Sequence, residues 1–355
     1  MSQALSAHAA HFRKQAEWCD VLGSPFNASL LRALADRLGD GSVLDHLLVG
    51  GETPLEPAAA DAGPLRLAGA LHALALKRQD AGLAAQYPGE RPDWDMGDVL
   101  PAVYEALQAH KDWVAGFLKN TPQTNETRRA IALLPGFAAL EGPLHLLELG
   151  ASAGLNQHWD AFGYDGGHWS RPGAPEAPTI TSVWEGPAPS LPEQFEIASR
   201  KACDQSPLDV EDPEARLALQ AYVWPDQTDR LQRVRKAIAL ARQSGVHVEA
   251  CDAAEWLDAN LSGPLPLGTT VVFHSIAWQY FDSITHNRAM AAIRDAGARA
   301  NADHRFAWLR FENQAVFEPG ASRSVHQVDL ISWPGAQHRV IAHADPHGGK
   351  VIFAP

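Results

Sequence analysis

The chain of 355 residues exceeds the size at which single hydrophobic cores usually stop growing, so we expect one large domain and a smaller one. Its composition, with 46% hydrophobic and 20% charged residues, is that of a folded globular protein and gives no reason to expect extensive disorder. The formal net charge of −13 argues against general nucleic-acid binding, because phosphate backbones require clustered lysine and arginine.

Neither the N-terminus nor the cysteines indicate an exported protein. Residues 1–20 mix apolar residues with histidines and charged residues, so they lack the apolar run of a signal peptide. No later window is long and apolar enough to span a bilayer. The three cysteines, Cys19, Cys203 and Cys251, form neither a disulfide framework nor a CxxC metal motif. We therefore predict a cytoplasmic protein that does not bind membranes; its oligomeric state is not indicated.

Residues 1–140 are predicted to be helical. Apolar residues recur there at helical spacing, as at Leu67, Leu71 and Leu74 and again from Val103 to Phe117. Proline and glycine punctuate these stretches. No strand pattern appears before His145.

Residues 141–355 are predicted to form an α/β domain. Short apolar runs that begin at His145, Val246, Thr269 and Phe306 are each followed by a helix-like segment or a loop, which is typical of a parallel sheet. The runs after Val328 have no helix between them and must pair antiparallel. The predicted sheet has seven strands, mostly parallel, and ends in a C-terminal antiparallel hairpin.

The segment 157–245 is too long for an ordinary crossover between two parallel strands. It contains a stretch rich in proline and glycine, and then a helix that begins after Trp224 and ends near Gly245. We interpret this segment as an insertion that lies over a ligand cleft.

A glycine-rich loop follows the first predicted strand, from Glu148 to Asn156 (ELGASAGLN). Glycines let the backbone approach a ligand closely, and the start of a helix offers unpaired N–H groups. Glu148, at the strand end, can fix the loop or reach the ammonium group of a ligand. The string resembles the acid-x-Gly-x-Gly-x-Gly motif of class I S-adenosylmethionine-dependent methyltransferases, with Ser152 in place of the middle glycine. A turn that uses its glycines only for packing is the alternative.

This resemblance implies a methyltransferase-type Rossmann fold and S-adenosylmethionine as cofactor. An acid that ends the second strand would bind the ribose; Asp204 takes that position, and Glu185 is the alternative. Asp252, after the third strand, would contact the adenine, although an N-cap explains it nearly as well. His274, at the end of the fourth strand, would act as general base, unless it is a buried structural histidine. The implied cofactor contacts are Glu148, Gly150, Ser152, Gly154, Asn156, Asp204, Asp252, Ala253 and Ser275.

Two groups of residues are expected at the pocket of a small-molecule methyl acceptor. Asn125, Glu126 and Arg129 precede the apolar run that leads into the first strand, and Asn125 and Arg129 would share one helical face. We predict that they close the pocket, whereas a solvated helix start is the alternative. The further candidates are Trp224, Gln279 and Tyr280, for which aromatic packing is the alternative.

Five strings are specific when taken together: QTNE at 123–126, LELGASAGLN at 147–156, PLD at 207–209, VWPDQ at 223–227 and FHSIAWQY at 273–280. In these strings the chain more closely resembles a bacterial family that is defined as a domain of unknown function (DUF2332-like). Membership in that family implies a fold and no established activity.

The loop also fits the G-x-S-x-G nucleophile elbow of α/β-hydrolases, in which Ser152 would be the nucleophile of a serine esterase. The triad partners available further along the chain are Asp252, Asp282, His326, His338 and His343. The hydrolase fold needs several strands and an oxyanion loop before the elbow, and the pattern of residues 1–140 predicts neither.

Three further interpretations remain. The spacing of Gly150 and Gly154 misses the dinucleotide pattern G-x-G-x-x-G. His343, Asp345 and His347 are better explained by a solvated turn than by a metal site, so no metal is predicted. A non-catalytic protein that uses the same fold to bind a ligand is the third alternative to a methyltransferase.

Overall fold

The computed structural model describes residues 2–354 apart from 51–54, 59–61, 90–92, 319 and 323. The helices are α1 (Gln3–Val21), α2 (Pro25–Arg37), α3 (Val43–Val49), α4 (Gly63–Leu76), α5 (Ala81–Gln86), α6 (Met96–Ala109), α7 (Lys111–Phe117), α8 (Ala130–Ala138), α9 (Pro213–Ala221), α10 (Thr228–Ser244), α11 (Ala253–Leu261) and α12 (Ser283–Ala298). The strands are β1 (Leu144–Leu149), β2 (Gly163–Asp165), β3 (Ser170–Arg171), β4 (Thr179–Thr181), β5 (Val183–Glu185), β6 (Ile197–Asp204), β7 (Val248–Ala250), β8 (Gly268–Ser275), β9 (His304–Asn313), β10 (His326–Trp333), β11 (Gln337–Ala344) and β12 (Lys350–Phe353).

One of two compact units is helical and comprises Met1–Thr124 and Pro213–Gln232. Its core consists mainly of leucine, alanine and phenylalanine side chains from α1 to α7. Leu217 and Tyr222, in and after α9, are buried in the same core, and the carbonyl oxygen of Ala221 lies 3.1 Å from Nδ1 of His72. The helical unit therefore includes part of the segment predicted as an insertion, because the apolar face of α9 completes this core.

The second unit comprises Asn125–Asp212 and Arg233–Pro355 and is built on one sheet. Nine strands of its described residues follow the order β5-β12-β11-β10-β9-β8-β1-β6-β7. The half from β9 to β7 is parallel throughout, with β1 between β6 and β8. Because the chain runs outward from β1 to β7 on one side and continues from β8 on the other, β1 and β8 form the switch point of a doubly wound sheet.

The antiparallel part of the sheet is larger than the predicted hairpin. β10 pairs antiparallel with both β9 and β11, and β12 extends this meander. β5 then pairs parallel with β12 at the edge. The sheet has nine strands in the described chain rather than the seven predicted. One of the additional strands is β5, which is too short to be recognised by its pattern, and only structure reveals its partner.

The segment predicted as a single insertion contains a strand of the main sheet. β6 lies beside β1 and ends at Asp204, the position that the resemblance implied for the second strand. Its first half carries Ser199, Arg200 and Lys201, so it shows no apolar run. Between β1 and β6 the chain forms a small sheet of β3, β2 and β4.

Two helices that follow parallel strands begin at aspartate N-caps. Asp252 accepts hydrogen bonds from the N–H groups of Ala254 and Glu255 at the start of α11. Asp282 does the same for α12. These caps satisfy N–H groups that have no partner inside a helix, and they fix where each crossover begins. Across the described residues, no helix combines the length and apolar character that a membrane crossing requires.

Candidate functional site

The glycine-rich loop after β1 has three residues in the left-handed region, with φ of 64° at Gly150, 53° at Ser152 and 69° at Gly154. A Cβ atom at Gly150 would lie 2.5 Å from the Cβ of Ala277, and one at Gly154 would lie 2.9 Å from a methyl group of Val248. Both glycines are therefore required by sterics as well as by backbone conformation. The loop therefore lies between Ala277, in the turn after β8, and Val248, the first residue of β7.

Asp204 holds the glycine-rich loop in place. Its Oδ2 accepts a hydrogen bond of 2.8 Å from the N–H of Ser152, and its Oδ1 accepts one of 2.9 Å from Ser206. Glu185, the alternative acid, lies in the edge strand β5 and pairs with Lys350 at 2.7 Å. Of the two candidates, Asp204 is the one at the loop. A carboxylate has about four acceptor positions, and these two bonds use one position on each oxygen.

Glu148 is a buried carboxyl group at the end of β1, with 3% of its surface exposed. Burial raises its pKa from 4.5 to about 8, while a hydrogen bond with Gln157 opposes the shift and the negative charge of Asp204 adds to it. Its Oε2 has no hydrogen-bond partner among the described residues. The group is therefore mostly uncharged at neutral pH and offers one unused acceptor atom.

The segment before α8 contacts the end of the glycine-rich loop. The side-chain oxygen of Asn125 accepts a hydrogen bond of 2.9 Å from the N–H of Leu155, and the amide of Asn156 donates to the carbonyl of Glu126 at 3.4 Å. The residues after the loop, Leu155–Ala161, form a short 3-10 helix and not the predicted α-helix. The N–H of Leu155, one of those expected to be unpaired at a helix start, is thus already hydrogen-bonded to Asn125.

Arg129 joins the end of β8 to the turn before β12. Its Nη1 donates to the carbonyl oxygen of Ser275 at 3.0 Å, and its Nε donates to that of Pro346 at 2.9 Å. Asn125 and Arg129 therefore hold the backbone on the two sides of the switch point. This places the predicted pocket-closing residues beside the loop, where each already has a structural role.

Replacing Asn125 tests that structural role. We expect Asn125→Ala to lower the free energy of unfolding by about 1–2 kcal/mol, because the buried N–H of Leu155 loses its acceptor. Asn125→Asp keeps the acceptor oxygen and serves as the matched control. Chemical denaturation of both variants measures the difference. Equal stability of Asn125→Ala and the native chain would contradict the structural role and leave ligand binding as the function of this residue.

Asp252 and Ala253 follow β7 as the resemblance implied. Asp252 caps α11, and its Oδ2 also accepts a hydrogen bond of 2.7 Å from the hydroxyl of Thr285 in α12. Ala253 is the first residue of α11 and is buried. The capping alternative for Asp252 is thus observed, and contact with an adenine stays a prediction.

His274 is fully buried and both of its ring nitrogens are engaged. Nδ1 lies 2.7 Å from Oε1 of Glu312, and the indole N–H of Trp308 donates to Nε2 at 3.0 Å. Since Nε2 accepts a hydrogen bond, Nδ1 carries the proton and donates it to the carboxylate. In this arrangement neither nitrogen can take a proton from a ligand, so the geometry gives His274 the structural role and not that of a general base.

Glu312 is the residue at this site that sequence reasoning missed. Besides His274, its Oε1 accepts hydrogen bonds from the N–H groups of Ala277 and Trp278, at 2.8 and 3.0 Å. It thereby fixes the turn after β8, in which Ile276 has a φ of 53°. The available signal was an acid at the end of the apolar strand β9, in the same position relative to its strand as Glu148 in β1.

The turn fixed by Glu312 forms one side of a cleft of about 670 Å³. The cleft lies where β8 and β9 end and β10 begins. It is lined by Trp278, Gln279, Tyr280, Phe281, His286, Asn313, Ala315, Val316 and His326. Of the predicted substrate residues, Gln279 and Tyr280 are therefore brought together, whereas Trp224 packs against the core of the helical unit.

The described residues contain no group of three or more His, Cys, Asp or Glu side chains that could hold a metal ion. In the segment that suggested one, Asp345 accepts a hydrogen bond of 2.8 Å from the N–H of His347. This contact is that of a side chain capping its own turn.

The fold and site define an α/β protein with a doubly wound sheet and a cleft at its switch-point edge. The family described as "Uncharacterized protein conserved in bacteria (DUF2332)" matches residues 9–352, so the chain belongs to this family. No curated protein and no solved structure matches the chain.

Proposed function

We propose that the sheet unit binds S-adenosylmethionine at the glycine-rich loop and transfers its methyl group to a small molecule in the cleft. The observation that carries this proposal is the position of three acids. Glu148, Asp204 and Asp252 end or follow β1, β6 and β7, which are adjacent parallel strands on one side of the switch point. Ligands of doubly wound sheets bind outside the carboxyl ends of the parallel strands, at the switch point.

The loop offers groups that fit such a cofactor. The unpartnered Oε2 of Glu148 is a buried acceptor that an ammonium group would satisfy, and such a pair would favour the charged form of the carboxyl. The remaining acceptor positions of Asp204 suit the two hydroxyls of a ribose. The bound cofactor would supply an electrophilic methyl group on a positively charged sulfur.

The protein would contribute mainly by positioning. The cleft wall from Trp278 to Phe281 directly follows Ala277, which leaves no room for a Cβ atom at Gly150 of the loop, so an acceptor in the cleft would lie near the loop. Holding two reactants in line supplies much of the rate enhancement of a direct displacement. Because both ring nitrogens of His274 are hydrogen-bonded inside the core, its role in the proposed function is to support the turn after β8.

The serine-esterase alternative lacks its structural context. Among the described residues no strand precedes β1, whereas a nucleophile elbow follows several strands of its sheet. We therefore propose the methyltransferase and treat a non-catalytic binding protein as an outcome of the test.

Isothermal titration calorimetry of the full chain with S-adenosylmethionine and S-adenosylhomocysteine tests the proposal. We expect both ligands to bind, and Glu148→Gln to weaken their binding by roughly tenfold, because the ammonium group loses a charged partner. Glu185→Gln is the matched control, since it removes an acid that lies at the sheet edge. Absence of binding of either ligand at millimolar concentration to the folded chain would refute the proposal. Binding without methyl transfer to any acceptor would favour the non-catalytic alternative.

A further inference from the structure

The chemistry of the cleft limits what it can bind. Its nine lining residues include no aspartate, glutamate, lysine or arginine. Trp278, Tyr280 and Phe281 supply aromatic surface, and Asn313, His286 and His326 are among its polar groups. Aromatic walls with a few polar groups suit a flat and uncharged ligand that carries a hydrogen-bonding substituent.

His326 is the lining residue whose ring is arranged to accept a proton. It is the first residue of β10 and lies opposite Asn313 of β9. Its Nδ1 is buried without a hydrogen-bond partner in the described chain, so Nε2 is the nitrogen that can face the cleft which the ring lines. With the proton on the enclosed Nδ1, the neutral ring offers the lone pair of Nε2 as an acceptor.

The surroundings of His326 keep its ring neutral. Burial lowers the pKa of His326 from 6.5, and the positive charge of Arg129 acts in the same direction. The carboxylates of Glu312 and Asp345 and the backbone of Ser324 oppose this shift without reversing it. At neutral pH the ring is therefore an acceptor, in contrast to His274, whose nitrogens are both engaged.

We propose that the cleft binds an uncharged aromatic molecule with a hydroxyl group, and that Nε2 of His326 accepts the proton of that hydroxyl. The O–H bond breaks and leaves its electron pair on oxygen, while the N–H bond that forms makes the ring an imidazolium. The oxygen becomes a nucleophile, and the proton later passes to solvent. The use of this oxygen as methyl acceptor rests on the proposed function, whereas recognition of the hydroxyl group does not.

Two probes that differ only at the hydroxyl group test this recognition without any cofactor. 4-Methylphenol carries the hydroxyl, and 4-methylanisole carries a methoxy group in its place. We expect the native chain to bind 4-methylphenol roughly tenfold more tightly, the value of one hydrogen bond to the ring nitrogen. This preference should decline as the pH falls below 6.5, because a protonated His326 no longer accepts. Ligand-observed NMR titration measures both affinities.

Variants test whether His326 is responsible for the preference for 4-methylphenol. His326→Phe should bind the two probes equally, and His326→Asn should keep part of the preference but lose its dependence on pH. His286→Phe, at the other imidazole of the cleft, should retain the native preference. Equal binding of both probes to the native chain, binding of neither, or loss of the preference in His286→Phe alone would overturn the proposal. Binding of S-adenosylmethionine is measured separately, so either proposal can fail while the other stands.

Discussion

Glu148→Gln should be more stable than the native chain at pH 8, although it removes an ionisable group from the candidate site. The folded-state pKa of Glu148 is raised by burial to about 8, whereas the unfolded chain ionises near 4.5. Stability that is present below pH 4.5 is therefore lost as the pH rises towards 8, because the unfolded state releases its proton first. Glutamine has no such proton to release.

The size of this effect is best measured as a change with pH. We expect the advantage of Glu148→Gln in free energy of unfolding to grow by about 3 kcal/mol between about pH 5 and about pH 7.5, at 1.36 kcal/mol per pH unit. A constant offset from the new amide does not alter this slope. Denaturation with urea at a series of pH values gives the comparison. A difference that stays constant with pH would show that Glu148 is ionised in the folded state.

His158 provides an internal reference for that experiment. Burial lowers its pKa from 6.5 to about 4, with the charge of Arg200 acting in the same direction. The unfolded chain thus takes up a proton before the folded chain does, and stability falls as the pH decreases from 6.5 to about 4. Glu148→Gln should show this acid-side loss in full, whereas in the native chain the contribution of Glu148 opposes it between about pH 4.5 and 6.5. The contribution of His158 is the same in both proteins and cancels from their difference.

The parallel half of the fold was accessible from sequence because each of its strands leaves a local signal. β1 and β8 are almost entirely buried and each contains an apolar run, and helices with aspartate caps follow β7 and the turn after β8. β5 leaves no such signal because it has only three residues, and the first half of β6 leaves none because its residues are half exposed or exposed. The assignment of α9 to the helical unit depends on a core assembled from distant segments, and no local periodicity of apolar residues indicates it.

At the candidate site, the sequence predicted where residues lie better than it predicted what they do. Asp204 stands at the loop and Gln279 at the cleft, as expected. The roles of His274 and Glu312 depend on which face of the sheet each side chain occupies and on what it meets there. Two residues of neighbouring strands, 38 positions apart in sequence, form a buried pair at 2.7 Å. Only tertiary structure supplies that partner, together with the indole of Trp308 on the other ring nitrogen of His274.

The role of the glycine-rich loop could not be assigned from sequence either, because its motif resembles a ligand-binding pattern. Gly150 has little room on the side of Ala277, and Gly154 faces Val248. Packing therefore accounts for both glycines, which was the alternative left open by the sequence. The two explanations are compatible, because a loop that is held tightly against its neighbours presents its outer face in a fixed position.

Gly150→Ala should destabilise the protein by about 2–5 kcal/mol, the sum of left-handed backbone strain and overpacking. Its new Cβ would meet the Cβ of Ala277 at 2.5 Å, beside the backbone of the turn that Glu312 fixes. Adding Ala277→Gly removes the opposing methyl group, so the double variant should recover about 1–3 kcal/mol relative to the sum of the single changes.

Gly154→Ala is the matched control for this double-mutant cycle. It has a similar left-handed backbone, but its new Cβ would meet a methyl group of Val248 and not Ala277. Ala277→Gly should therefore give no recovery when combined with Gly154→Ala, since the two sites share no contact. If Ala277→Gly restores stability to Gly150→Ala but not to Gly154→Ala, the loop after β1 contacts the turn after β8 directly. Simple additivity in both cycles would show that the backbone at Gly150 moves away, and that the loop and the cleft wall are not rigidly joined.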